Sequence, residues 1–149
     1  MSAPPFQFRL ERVRALRERA EQQRAEELAA SVAHRAHGEE QLVAAAERVG
    51  RARHERRVLA QATGADLLSM QAYIERTQRA QHAAALDLDR RAAEVDARRV
   101  ALVHAAREHR ALTRLEERRR EEHAREVARI EGGHMDEVAL AVHRRSVSQ

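Results

Sequence analysis

The sequence contains no cysteine, no tryptophan and no lysine. Without cysteine there are no disulfides and no thiolate metal sites. That fits a cytoplasmic setting, where cysteine-stapled folds are rare. Aromatics make up 2% of the chain: Phe6, Phe8 and Tyr73. Proline is confined to Pro4 and Pro5, so nothing downstream forbids long helices. No apolar run is long enough to cross a bilayer, and no apolar segment follows the N-terminus as in a secretory leader. The expectation is a soluble, unprocessed protein.

What remains is mostly alanine, arginine, glutamate and leucine, with 35% of residues charged. Alanine cannot fill a wide globular core, but it suits two helices packed closely along a line. The formal net charge is +4, and every cation other than histidine is arginine, which stays protonated at any working pH. The densest basic run, Arg118 to Arg120, is flanked by Glu116, Glu117, Glu121 and Glu122. That pattern describes an ion-paired, solvated face and argues against a nucleic-acid footprint, which also lacks interleaved aromatics here.

The apolar residues are phased. Leu88, Val95 and Leu102 recur every seven positions, with His109 on the same rung; Leu86, Ala93 and Val100 form a second such row. Leu42 and Val49, and Ala45, Ala52 and Leu59, repeat likewise upstream. Heptad rows must be covered by a partner helix. Arg35, Arg56 and Arg99 interrupt these rows, with stems able to lie along a seam while their heads reach water. A first helix is expected over about 6–62, a turn at Thr63-Gly64-Ala65-Asp66, a second helix over about 66–131 capped by Thr63 or Asp66, and a tail from Gly132-Gly133 over 132–149. Folding back at the turn sets Leu16 against Leu112, Leu28 against Val100, Leu42 against Leu86 and Ala45 against Ala83. The predicted class is all-α, a single long two-helix antiparallel coiled-coil hairpin. A parallel dimer of one unbroken helix is the rival arrangement.

No glycine-rich phosphate loop, nucleophile elbow or enclosed pocket is legible, so no enzymatic activity, small-molecule substrate or cofactor is expected. His34 and His37 share a helix face, but no third ligand completes a metal set. His104 and His109 are poorly spaced for one face; His109 reads as a packed polar residue on the seam. Exposed aromatics on a rod that buries little of a ring point to partner contact.

Phe6-Gln7-Phe8-Arg9-Leu10-Glu11-Arg12-Val13, continued by Leu16-Arg17-Glu18, resembles the opening of the FliJ family of flagellar type III export proteins. Leu67 to Glu75, with Gln71-Ala72-Tyr73-Ile74, is similar to that family's stretch after the turn, and Met135-Asp136-Glu137-Val138-Ala139 to its tail. Arg14, where many members carry leucine, and Gly132-Gly133 depart from the pattern. The resemblance implies a cytoplasmic chaperone and central stalk at the inner face of the cell membrane, at the flagellar base. It implies an open end inserted in the ring of the FliI-like export ATPase, with Phe6, Phe8, Arg9, Arg12, Arg17, Arg118, Arg119 and Arg125 as contacts. It further implies that the turn half touches the FlhA-like export gate through Leu42, Val49, Tyr73, Thr77 and Ala80, so that the membrane is met only peripherally through the gate. Binding to export chaperones is a further implied trait. A virulence-type secretion stalk and a generic basic coiled coil binding nucleic acid are the alternatives.

Overall fold

The computed structural model describes residues 5–59 and 62–147, with side chains to residue 145. Two helices make up the fold, α1 (Glu11–Val58) and α2 (Gly64–Val147), and no strand occurs among the described residues. The class is therefore all-α, with two long helices in contact. Cross-helix contacts link residues far apart in one chain, among them Arg17 with Glu108 and Arg14 with Glu116, which is folding back rather than a parallel dimer.

The helix ends differ from the sequence expectation, each for a local reason. Residues 5–8 are not helical, and α1 starts five residues later than expected. Its entry is fixed by Glu11 N donating to Phe8 O at 3.1 Å and Arg14 N to Leu10 O at 2.9 Å. The Phe6 ring is held against α2 instead of joining a helix, a tertiary contact overriding local propensity. Pro4 lies outside the described residues. At the other end, α2 begins at Gly64, so Gly64 to Asp66 are its first turn rather than part of the connection. Thr63 and Asp66 form a reciprocal cap. Asp66 N donates to Thr63 Oγ1 at 3.2 Å, while the Asp66 carboxylate accepts from Thr63 N at 2.9 Å and from its hydroxyl at 2.6 Å. Nor does Gly132-Gly133 end α2. A glycine stop needs a left-handed residue, and no glycine has positive φ, so the helix runs on to Val147.

Contacts group the chain into two units, a turn unit (Glu21–His104) and a terminal unit (Met1–Ala20 with Ala105–Gln149). In the turn unit, α1 presents Leu28, Arg35, Leu42 and Val49 alternating with Ser31, Gly38, Ala45 and Ala52, all buried or half-buried. Opposite run Ile74, Gln81, Leu88, Val95 and Leu102, alternating with Thr77, Ala84, Arg91 and Arg98. These are two interleaved heptad rows per helix, the knobs of an antiparallel coiled coil. Val95, 1% exposed, is the largest fully buried side chain.

The row Leu88, Val95 and Leu102 thus lies on the seam, but Leu86, Ala93 and Val100 do not; Val100 is 70% exposed. Each residue turns a helix by roughly 100°, so residues two apart lie about 200° apart and cannot share a face. Arg91 and Arg98 take the second row, while Arg99 points outward to Asp96. Leu59 is exposed as well. The facing pairs are Glu27 with Arg98 at 2.8 Å, Gly38 with Arg91, and Arg56 with Gln71 at 3.0 Å. The direction is as expected. The specific pairs are not, because Val100, Leu86 and Ala83 face solvent.

In the terminal unit, buried Ala105 and half-buried His109, Leu112 and Glu116 carry the α2 seam. Arg17 pairs with Glu108 at 2.8 Å and Arg14 with Glu116 at 3.1 Å. Leu16, expected opposite Leu112, is 63% exposed.

Candidate functional site

Residues 5–10 fold over the α2 face that carries Leu115, Arg119, Glu122, His123 and Glu126, leaving a groove of about 870 Å³. The half-buried Phe6 ring meets His123 edge-on, centroids 5.7 Å apart at 62°. The Arg120 guanidinium stands 5.5 Å from the centre of the same ring, within cation–π range. Arg120 is anchored by Glu116 at 2.8 Å. Glu116 also accepts from Arg14, whose other partner is Glu11 at 2.7 Å. A charge ladder from α1 to α2 therefore ends on an aromatic ring. The hydrogen bond from Arg14 holds the Glu11 carboxyl below its ordinary range, and the same bond raises Arg14. Arg14, which breaks the apolar pattern, is thus the cross-helix strut of this end. Sequence reasoning missed Arg14, Glu116, Arg120 and His123. The available signal was opposite charge at Arg14 and Glu116, which only the paired register brings together.

Of the residues implied at this end, Phe6, Phe8, Arg9 and Arg119 line the groove. Arg12 and Arg118 are exposed. Arg17 is committed to Glu108, Arg119 also pairs with Glu122 at 2.9 Å, and Arg125 pairs with Glu121 at 3.5 Å. The grouping is amphipathic: two phenylalanines, Leu10 and Leu115 set among charges of both signs. It could take an apolar side chain bordered by polar groups, and it holds no nucleophile and base arranged for chemistry.

The residues implied in the turn unit divide. Val49 is buried and Leu42 and Thr77 half-buried on the seam, where Thr77 Oγ1 donates to Ile74 O at 2.8 Å. Their surface is spent on packing. Tyr73 and Ala80 face outward, and the Arg76 guanidinium sits 5.5 Å from the Tyr73 ring centre. His37 is taken by Gln41 at 3.0 Å and Glu40 at 3.5 Å. Among the described residues, no group of three metal-ligating side chains could hold a metal ion.

The chain matches the family profile described as "FliJ: Flagellar FliJ protein" over residues 6–148. The chain belongs to the FliJ family. No curated protein and no solved structure matches it. FliJ membership places it in flagellar protein export and among the partners of that apparatus, in a family of chaperone and stalk proteins rather than enzymes. No helix among the described residues is long and apolar enough to cross a membrane. The family assignment gives the groove at the terminal unit and the outward face of Tyr73 a context that geometry alone does not.

Proposed function

We propose that this FliJ-family chain is a non-enzymatic stalk and chaperone of the flagellar export machinery. Its terminal unit grips the FliI-like export ATPase ring, and its turn unit touches the FlhA-like export gate at the inner face of the cell membrane. The observation that carries this reading is the flagellar family match, which spans both the N-terminal aromatic segment and the end of α2. The groove beneath Phe6 and Phe8 supports the first contact, since it offers apolar surface bordered by charges of both signs at the end where the family resemblance puts the ring. Arg9, Arg12 and Arg118 are exposed there. For the gate, Tyr73 and Ala80 are the implied residues that face outward.

The test is a pull-down and ATP-hydrolysis assay with the export ATPase of the same organism. Wild type should bind and either stimulate hydrolysis or promote ring assembly. A Phe6→Ala, Phe8→Ala double variant should lose most of that effect while keeping its helicity. Separately, Tyr73→Ala should weaken gate binding alone. A folded wild-type chain that neither binds the ATPase nor alters its rate refutes the stalk role.

A further inference from the structure

The longest stretch of the sequence without an arginine runs from Val58 to Glu75. Between Arg57 and Arg76 there is no cation, and the only charged residues are Asp66 and Glu75. Asp66 is occupied by Thr63 in the helix cap. Four large aliphatic side chains of this stretch point to solvent: Val58 and Leu59 where α1 ends, and Leu67 and Leu68 on the first turns of α2. Leu68 is 74% and Val58 64% exposed. Val58, Leu59 and Met70 border an open hollow of about 410 Å³. Nothing among the described residues covers them, and positions at a helix connection are ordinarily taken by polar side chains.

Behind the aliphatic group along both helices comes Tyr73, and around it a collar of arginines. Arg51, Arg53, Arg56 and Arg57 on α1 and Arg76 and Arg79 on α2 are all exposed, with Glu55 and Glu75 as the intervening acids. From the connection inward come the aliphatic side chains, then Arg57 and Arg56 of α1, the latter opposite Gln71, then Tyr73 of α2 and the remaining arginines, of which Arg51 pairs with Glu47 at 3.7 Å. A bilayer offers each of these groups a layer from its acyl boundary outward: hydrocarbon, the interface where tyrosine settles, then phosphates. Arginine stems can lie along the apolar layer while their guanidinium groups reach phosphate oxygens.

We infer that the end of the turn unit, where α1 stops and α2 starts, is a lipid-docking tip, which sets Leu67, Leu68, Val58 and Leu59 into the surface of an anionic phospholipid bilayer with the arginine collar on its headgroups. Charge complementarity selects this occupant. A protein pocket receiving four aliphatic side chains has no need of six arginines ringing them, whereas an anionic surface attracts each arginine within a Debye length. The contact is shallow, reversible and salt-sensitive, and it rests on the tip alone, not on the gate contact proposed above.

The full chain, co-sedimented with vesicles of phosphatidylcholine alone or mixed with phosphatidylglycerol, tests this without any protein partner. Wild type should bind the anionic vesicles at low salt and leave them at high salt, with binding to the neutral vesicles weaker by about tenfold or more. Leu67→Asp with Leu68→Asp should abolish binding at unchanged helicity, and Arg56→Gln with Arg57→Gln should flatten the salt dependence. Failure of the folded chain to sediment with anionic vesicles overturns the inference. So does full binding by the double aspartate variant, which would make the attraction arginine-only. A dimer of the free chain that disappears in that variant also overturns it, by showing a second copy to be what covers the tip.

Discussion

Gly38 packs directly against the Arg91 side chain across the seam of the turn unit. A Cβ built on Gly38 would lie 3.0 Å from Arg91 Cδ. The arginine cannot swing clear at little cost, because its head is tied at three points: Asp87 at 2.7 Å, His34 O at 2.8 Å and Gln41 at 3.3 Å. Two effects compete when Gly38 becomes alanine. The helix gains about 1 kcal/mol of propensity, while the arginine stem must shift against its anchors. Gly38→Ala should therefore destabilise the wild type. In an Arg91→Ala background the obstruction is gone, and the same substitution should stabilise by about 1 kcal/mol. Denaturant melts of the four proteins check the reversal of sign; an equal effect in both backgrounds would show that Arg91 does not hold the crossing. Neither residue was legible in the sequence as part of one contact. Only the paired register joins them. Val95 and Leu88 were legible because they combine heptad spacing with an apolar side chain.

At the scale of the element, the start of α2 is an instructive case. Thr63 and Asp66 were readable as capping residues from their types and spacing. The row Leu86, Ala93 and Val100 was equally readable and lies outside the seam, since heptad spacing identifies a row without saying which of a helix's rows faces the partner. The second seam row contains Arg91 and Arg98, so an apolar pattern could not reveal it. The cap supplies its own prediction. Thr63→Ala should cost about 1 kcal/mol. The Thr63 hydroxyl first, and then its backbone N–H, hold the Asp66 carboxyl below the usual carboxylate range. A carboxyl lowered in the folded state stabilises above its unfolded pKa, and that contribution disappears as pH falls through the folded value. Acidification below about 4 should thus remove it. Glu11, Glu27 and Glu126 are shifted the same way, so the measurement is a difference: wild type minus Asp66→Asn, followed by helicity. The gap between the two should close in acid, and a gap that persists unchanged would deny the cap its charge.

For the whole molecule, stability should be graded along the chain rather than uniform. In the turn unit, Ala45, Val49, Ala52, Ile74 and Val95 are buried against the opposite helix. From Ala128 to Arg145, by contrast, every side chain is exposed, including Met135, Val138, Leu140 and Val142. A lone helix of this length is marginal in water, and Gly132 and Gly133 each cost about 1 kcal/mol against alanine. The Glu126–Arg129 ion pair at 2.6 Å is fully solvated and adds little to hold the helix. Amide hydrogen exchange should therefore be near the intrinsic rate over 132–145 and slowest around Ala52 and Val95. Uniform protection along α2 of the free chain would mean that contacts beyond these helices already hold its end. The same experiment bears on the proposed function. If the export ATPase grips the terminal unit, adding it should slow exchange over residues 5–10 and along the end of α2 while leaving Val95 unchanged. Slowing confined to the turn unit would put the ATPase contact at the wrong end and reject the stalk geometry, even if binding itself were tight.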